Sequence, residues 1–154
     1  MLTVERTIDI DAPVERAWAV LGRFMHINEF HPRVTKVDVL SEAATGVGAC
    51  RRCHFKDDTS VVEKVIDWQE GRAYRAELSD FALFLNKAIS TLSVEPLGPG
   101  RTRLKMGLEY EVEYGPIGWL MGKTMMARMM GGMFLVVLHG LEERVLKGGA
   151  AAAA

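Results

Sequence analysis

IGWLMGKTMMARMMGGMFLVVLHGLEERVLK, running from Ile117 to Lys147, is the stretch on which the fold turns. It comes after Gly115-Pro116, contains no proline and ends at Gly148-Gly149. Those are the start and stop signals of one long helix. Trp119, Met126, Met130, Met133, Val137 and Leu141 recur at helical spacing and form an apolar stripe. Thr124, Arg128, His139 and Glu142 fall on the opposite face. Met121, Met125, Met129, Phe134, Val136 and Leu138 widen the arc beyond the roughly 100° that a surface helix buries. Such a helix is expected to touch a sheet and then something else: a ligand, a partner chain or a membrane. Methionine suits adaptable apolar surfaces, because its thioether chain is flexible and polarizable. A plain buried helix and a ligand-lining helix both fit.

A membrane span needs about 20 mostly apolar residues. The uncharged run between Arg128 and His139 is about half that, so a span is not expected and surface contact remains. Gly131-Gly132 costs about 1 kcal/mol per residue in a helix and marks a kink or a close approach of something bulky.

The chain has 154 residues, 49% hydrophobic and 25% charged, which fits one soluble domain with a sizeable core. A net charge of −1, with no basic stripe, gives no pull toward nucleic acid. The opening MLTVERTIDI lacks the regions of a signal peptide, so the cytoplasm is the expected compartment. Residues 1–149 are expected to form the domain, with Ala150–Ala154 a low-complexity tail outside it.

Leu2–Ile10 alternates as a strand. Asp11 is a plausible cap and Pro13 a first-turn residue for a helix burying Val14, Ala17, Trp18 and Leu21. Phe24–Phe30 reads as a second short helix stopped by His31-Pro32. Strands are expected at Val34–Leu40, Ala49–Phe55, Ser60–Trp68, Ala73–Leu78 and Ala88–Glu95, the last stopping at Pro96; Asp80–Asn86 is ambiguous. In the final strand, Leu104, Met106, Leu108, Tyr110, Val112 and Tyr114 alternate with polar residues and glycine. One face is dry and the other wet, as in an antiparallel sheet covered on one side. The long helix is the element large enough to cover that face. The expected class is therefore α+β: about seven curved antiparallel strands wrapped around a C-terminal helix, with two short helices after the first strand.

This pattern resembles the START/Bet v 1-type superfamily, in particular its polyketide cyclase/dehydrase-like branch. The matching pieces are Ile10-Asp11-Ala12-Pro13, Ala17-Trp18, Phe30-His31-Pro32, Gly48-Ala49-Cys50-Arg51, Val62-Glu63-Lys64-Val65 and Tyr114-Gly115-Pro116-Ile117-Gly118-Trp119. The resemblance covers nearly the whole chain. It implies a helix-grip fold with an internal cavity for apolar or amphipathic molecules. Members include cyclases, hydrolytic enzymes, carriers and ligand sensors, so the fold does not choose among them. Relatives often carry an aromatic residue near Ala88 and a Trp where Phe30 stands; both departures bear on catalysis.

Cys50-Arg51-Arg52-Cys53-His54 matches a haem-attachment pattern, but strand alternation sends the two cysteines to opposite faces. Neither a disulfide within the pair nor a metal site is expected, and no cofactor. Arg51 and Glu63 are the stronger pair. If Phe55 faces Val61, then Cys53 opposes Glu63, Arg51 opposes Val65, and Arg51 and Glu63 are diagonal neighbours within ion-pair reach. Sharing a face with Phe55, Val61 and Val65 suggests that they look inward; a solvated surface contact is the alternative. The resemblance also turns the matching Arg and Glu toward the cavity in some relatives. His26 and His31 flank the short helices and either move protons or pack. Tyr74, Tyr110 and Tyr114 offer phenols on apolar faces. Trp18 and Trp119 read as core, His139 as exposed. No nucleophile motif, phosphate loop or dinucleotide fingerprint is present.

Three functions fit these residues. The first is binding or transport of a small hydrophobic ligand. Leu104, Met106, Leu108 and Tyr110 would form the floor, Met126, Met130 and Met133 the roof, and Arg51, Glu63 and Tyr74 the polar contacts. The second is a cyclase or dehydratase using Arg51, Glu63, His31 and Tyr74. The third is a homodimer built on the surplus apolar face of the long helix.

Overall fold

In the computed structural model, which describes residues 1–81, 85–112 and 115–153, seven strands form one antiparallel sheet. They are β1 (Leu2–Ile10), β2 (Val34–Val39), β3 (Cys50–Phe55), β4 (Ser60–Gln69), β5 (Ala73–Ser79), β6 (Leu85–Gly98) and β7 (Arg101–Val112), arranged β1-β7-β6-β5-β4-β3-β2. Between β1 and β2 lie α1 (Val14–Leu21) and a 3-10 turn at Phe24–Glu29. After β7 come α2 (Gly115–Met121), a π-helical turn at Gly122–Met126 and α3 (Ala127–Ala153). This is the expected α+β helix grip. The readings for Tyr114 and for part of Asp80–Asn86 fall on residues 113, 114 and 82–84, which lie outside the described residues.

Alternation sets the inner face. On β1, Val4 and Ile10 are buried while Thr3, Glu5, Thr7 and Asp9 are exposed. On β7, Leu104, Met106, Leu108 and Tyr110 are buried. The helix lies across this face through Met130, Phe134, Val137, Leu138, Leu141 and Val145, packed on β1, β7 and α1. Each such side chain stabilises the fold by about 1.5–3 kcal/mol when fully buried. By length and composition Gly115–Gly148 could cross a membrane; 33% of its most apolar window is buried against the rest of the protein.

Several local readings change. Trp119 is 48% exposed rather than core. The π-helical turn after it adds a residue to one turn, rotating the remainder of the helix by about 100° relative to a continuous α-helix. Beyond it Met130, Val137 and Leu141 of the expected stripe are buried together with Phe134 and Leu138, while Met126 and Met133 are only partly covered. Gly148-Gly149 does not stop α3, which runs to Ala153; no proline comes after it, and alanine is the strongest helix former. Gly131 lies against the Arg6 guanidinium, so the bulky neighbour is Arg6. Asp11 does not cap α1: Pro13 holds that place, and Asp11 pairs with Arg101 at 3.6 Å. Pro96 does not end β6. Past Val94, whose N–H donates to Arg72 O at 2.7 Å, β6 pairs only with β7, where a residue without N–H is tolerated.

The β3–β4 register also differs by two residues. Arg51 stands directly opposite Glu63, and Cys53 opposite Val61. The cause is a tight turn. Phe55 N–H donates to Thr59 O at 2.8 Å, Asp58 takes φ 66°, and Asp57 Oδ1 accepts from the Thr59 N–H at 3.0 Å. A three-residue loop closed by a left-handed residue is a standard hairpin solution. A shift of two keeps parity, so the expected inward face is unchanged.

Candidate functional site

Between the sheet and α3 lies a cavity of about 530 Å³, within the size range of small-molecule pockets. Phe55 of β3, Val61 of β4, Leu78 of β5, Leu85 and Ala88 of β6 and Leu108 of β7 form its wall, closed by Phe81 and by Met129, Met130 and Met133 of α3. The space has a local origin. Ala88 lies between Leu78 and Tyr110 in one cross-strand row and fills little of its share of the interior. The rim is polar: Arg33, Lys56, Asp57, Thr59 and Ser60. Lys56 N–H donates to Arg33 O at 3.0 Å, which sets the two cationic residues side by side.

Of the side chains expected to line a ligand site, Leu108, Met130 and Met133 line this cavity. Leu104 and Met106 lie further along β7 in packed core. Tyr110 and Trp119 border a second hollow of about 360 Å³ with Met1, Leu2 and Pro116. Met126 borders neither. The lining residues that sequence reasoning missed are Leu78, Phe81, Leu85, Ala88 and Met129 on the wall and Arg33, Lys56, Asp57, Thr59 and Ser60 at the rim. Strand parity marked Val61 and Phe55 as inward, but only the cross-strand register shows which rows meet the helix.

Arg51, Glu63, Tyr74 and His31 gather in a separate buried nest with Cys53 and Phe24. Arg51 is fully buried; its Nη2–H donates to Glu63 Oε2 at 2.7 Å and its Nη1–H to the Phe24 carbonyl. The guanidinium carbon lies 3.8 Å from the Phe24 ring centroid, a cation–π contact. Phe24 meets Tyr74 edge-on at 5.3 Å, and Tyr74 stacks on Trp68 at 5.6 Å. Trp68 in turn meets Trp18, and both indoles donate to Glu70. Two buried polar atoms of the nest, Arg51 Nε and Tyr74 Oη, have no hydrogen-bond partner among the described residues.

Electrostatics fix the protonation states. Burial works against the Arg51 charge, and the Glu63 carboxylate outweighs it, so its pKa rises. Burial pushes Tyr74 up to about 12, with Arg51 opposing, so its phenol stays an O–H donor. Burial pulls His31 down to about 4 against the attraction of Glu63. Its Nδ1 accepts from the Arg33 N–H at 3.2 Å, as a neutral ring does. Burial, then Glu63, raises the Cys53 thiol, which stays protonated and poorly nucleophilic. Cys50 lies on the other face of β3, so the pair cannot serve one haem. Among the described residues no metal-binding cluster of His, Cys, Asp or Glu forms. At neutral pH the nest can donate hydrogen bonds, but its one cation, Arg51, is already paired with Glu63, and it contains no free base of near-neutral pKa among its histidine and tyrosine. Phe55 borders both regions: its ring faces His31 at 6.0 Å and lines the cavity.

The family model for polyketide cyclase/dehydrase and lipid transport matches residues 1–146. The chain belongs to that family. The same fold recurs in a START superfamily protein of Mycobacterium smegmatis: 19% identity, TM-score 0.76, 94% of this chain and 97% of that one covered. It recurs in norcoclaurine synthase of Thalictrum flavum, solved as a point mutant with a transition-state analogue (16%, 0.74, 96% and 96%). It recurs again in the Zhui aromatase/cyclase of Streptomyces sp. R1128 (18%, 0.68, 99% and 96%). At these identities the likeness establishes the fold alone. No curated protein matches the chain. Family membership carries lipid transport and polyketide cyclisation as its two functional classes. In this chain the apolar cavity and the polar nest are adjacent but distinct, and none of Arg51, Glu63, Tyr74 and His31 lines the cavity.

Proposed function

We propose that the protein binds a small hydrophobic or amphipathic molecule in the cavity between the sheet and α3, and carries it unchanged. The observation behind this reading is the composition of the wall. It is apolar from Phe55 to Leu108 and Met133, with its polar groups at the rim. Each buried methylene of a ligand contributes about 0.8 kcal/mol, so a ten-carbon chain gathers about 8 kcal/mol before association costs. The methionines on the helix side let the roof adapt to ligands of different shape. Arg33, Lys56, Thr59 and Ser60 suit a polar or anionic head group at the rim.

Native mass spectrometry of the purified protein tests the proposal. The expected result is an apolar molecule bound one per chain and recovered chemically unchanged after incubation. A chain that is ligand-free and also refuses fluorescent fatty-acid analogues would remove the carrier reading.

A second reading rests on Arg51 Nε and Tyr74 Oη, two buried donors without partners among the described residues. Such groups suit the enol or carbonyl oxygen of a polyketone substrate in a cyclase. Turnover of a candidate polyketide that falls with Arg51→Ala and Glu63→Gln supports it; turnover unchanged in both removes these residues from any mechanism.

A further inference from the structure

The segment from α2 into the start of α3 leaves much apolar surface in water. Ile117, Leu120, Met121, Met125 and Met129 are all more than half exposed, and Trp119 nearly half. An exposed patch of this kind on a soluble fold marks a contact site. We propose that this face docks on an anionic lipid surface, with the cavity mouth opening toward the bilayer.

Charge selects the occupant. From Gly115 to Leu141 the chain has no Asp or Glu, while Lys123 and Arg128 are exposed. Lys123 Nζ lies 5.0 Å from the Trp119 ring centroid. Apolar side chains with Trp, bordered by Lys and Arg, are the composition of a helix that lies in the lipid interface. A two-fold dimer on the same face would bring two sets of cations together with no acid in the segment to pair them. Anionic head groups supply the missing countercharge.

Position supports the same occupant. Met129 belongs both to the exposed patch and to the cavity lining, so the patch runs directly into the cavity. Arg33 and Lys56 stand at that mouth with one acid, Asp57, among the lining residues. From Met130 onward the helix is held on the sheet by Phe134, Val137 and Leu141, so docking needs no span and no unfolding. Docking does not depend on what the cavity holds, but it would let an apolar ligand pass between bilayer and cavity without crossing water.

Co-sedimentation with phosphatidylcholine vesicles, with and without phosphatidylglycerol, tests the inference. The expected result is binding to the anionic vesicles, weakened by salt, with Trp119 fluorescence quenched by brominated acyl chains; Trp119→Phe removes that quenching. Lys123→Glu with Arg128→Glu, and separately Leu120→Ser with Met125→Ser, should each lower the partition coefficient at least about tenfold. Both double variants should keep the far-ultraviolet circular dichroism of the parent. Absence of vesicle binding, or variants that partition like the parent, overturns the inference. So does a concentration-dependent dimer that ignores vesicles and is dissolved by Leu120→Ser with Met125→Ser. Fluorescent fatty-acid binding in vesicle-free buffer, run in parallel, separates the two readings. Probe uptake without vesicle binding overturns docking alone, and vesicle binding without probe uptake overturns the carrier reading alone.

Discussion

Arg51 and Glu63 face each other directly across β3 and β4, guanidinium to carboxylate at 2.7 Å, with Arg51 fully buried. Among the described residues the fixed charge of Arg51 has one carboxylate partner and one carbonyl, that of Phe24. Removing the carboxylate strands a cation in the interior. Glu63→Leu should therefore cost about 3–5 kcal/mol in urea unfolding. Glu63→Gln, which keeps an acceptor, should cost less. Arg51→Met combined with Glu63→Leu should recover most of the loss. A Glu63→Leu protein as stable as the parent would show that the pair contributes nothing to the fold.

His31 makes stability depend on pH. Its folded pKa is about 4, well below the ordinary 6.5, chiefly because it is buried. The unfolded chain therefore binds a proton that the folded chain refuses. The stability is fully present above about pH 6.5 and is lost as pH falls toward 4, at up to about 1.4 kcal/mol per pH unit and about 3 kcal/mol in all. Urea midpoints measured from pH 7 to pH 4 should fall, and His31→Gln should flatten the curve in that window. An unchanged slope in the variant would assign the acid sensitivity elsewhere.

Three glycines of α3 separate packing from propensity. A Cβ at Gly140 would collide with the Phe30 carbonyl and crowd the Pro32 ring, so Gly140→Ala should destabilise by about 1–3 kcal/mol. A Cβ at Gly132 meets nothing within 4 Å, so Gly132→Ala should stabilise by up to about 1 kcal/mol. At Gly131 the obstacle is the mobile end of Arg6, and Gly131→Ala should fall between the two. Thermal unfolding of the three variants checks the order. Gly140→Ala proving the most stable would mean that α3 does not cross Phe30 and Pro32 as closely as described.

Ala88 tests the cavity. It lies on an inner strand of the sheet between Leu78 and Tyr110, wholly buried, and borders the empty volume. Ala88→Phe should fill part of that volume and weaken binding of a fluorescent fatty-acid analogue at least about tenfold, a change of about 1.4 kcal/mol. Its far-ultraviolet circular dichroism should match that of the parent. Undiminished binding by a folded Ala88→Phe protein would place the ligand outside this cavity.

The sequence by itself determined what repeats locally. The alternation along β7 gave its dry face, the apolar run after Gly115-Pro116 gave the covering helix, and the spacing of Cys50 and Cys53 put them on opposite faces. Side-chain direction depends on backbone period, which a short window of residues displays. The tertiary structure decided what sums over distant contacts. The left-handed Asp58 turn set Arg51 opposite Glu63, and the π-helical turn at Gly122–Met126 swung Trp119 away from the core. The location of the empty volume was decided there too, beside Ala88 and Leu108 rather than against Leu104, Met106 or Arg51. A void is the difference between the space that five strands and a helix enclose and the side-chain volume they put into it. No single segment carries that difference.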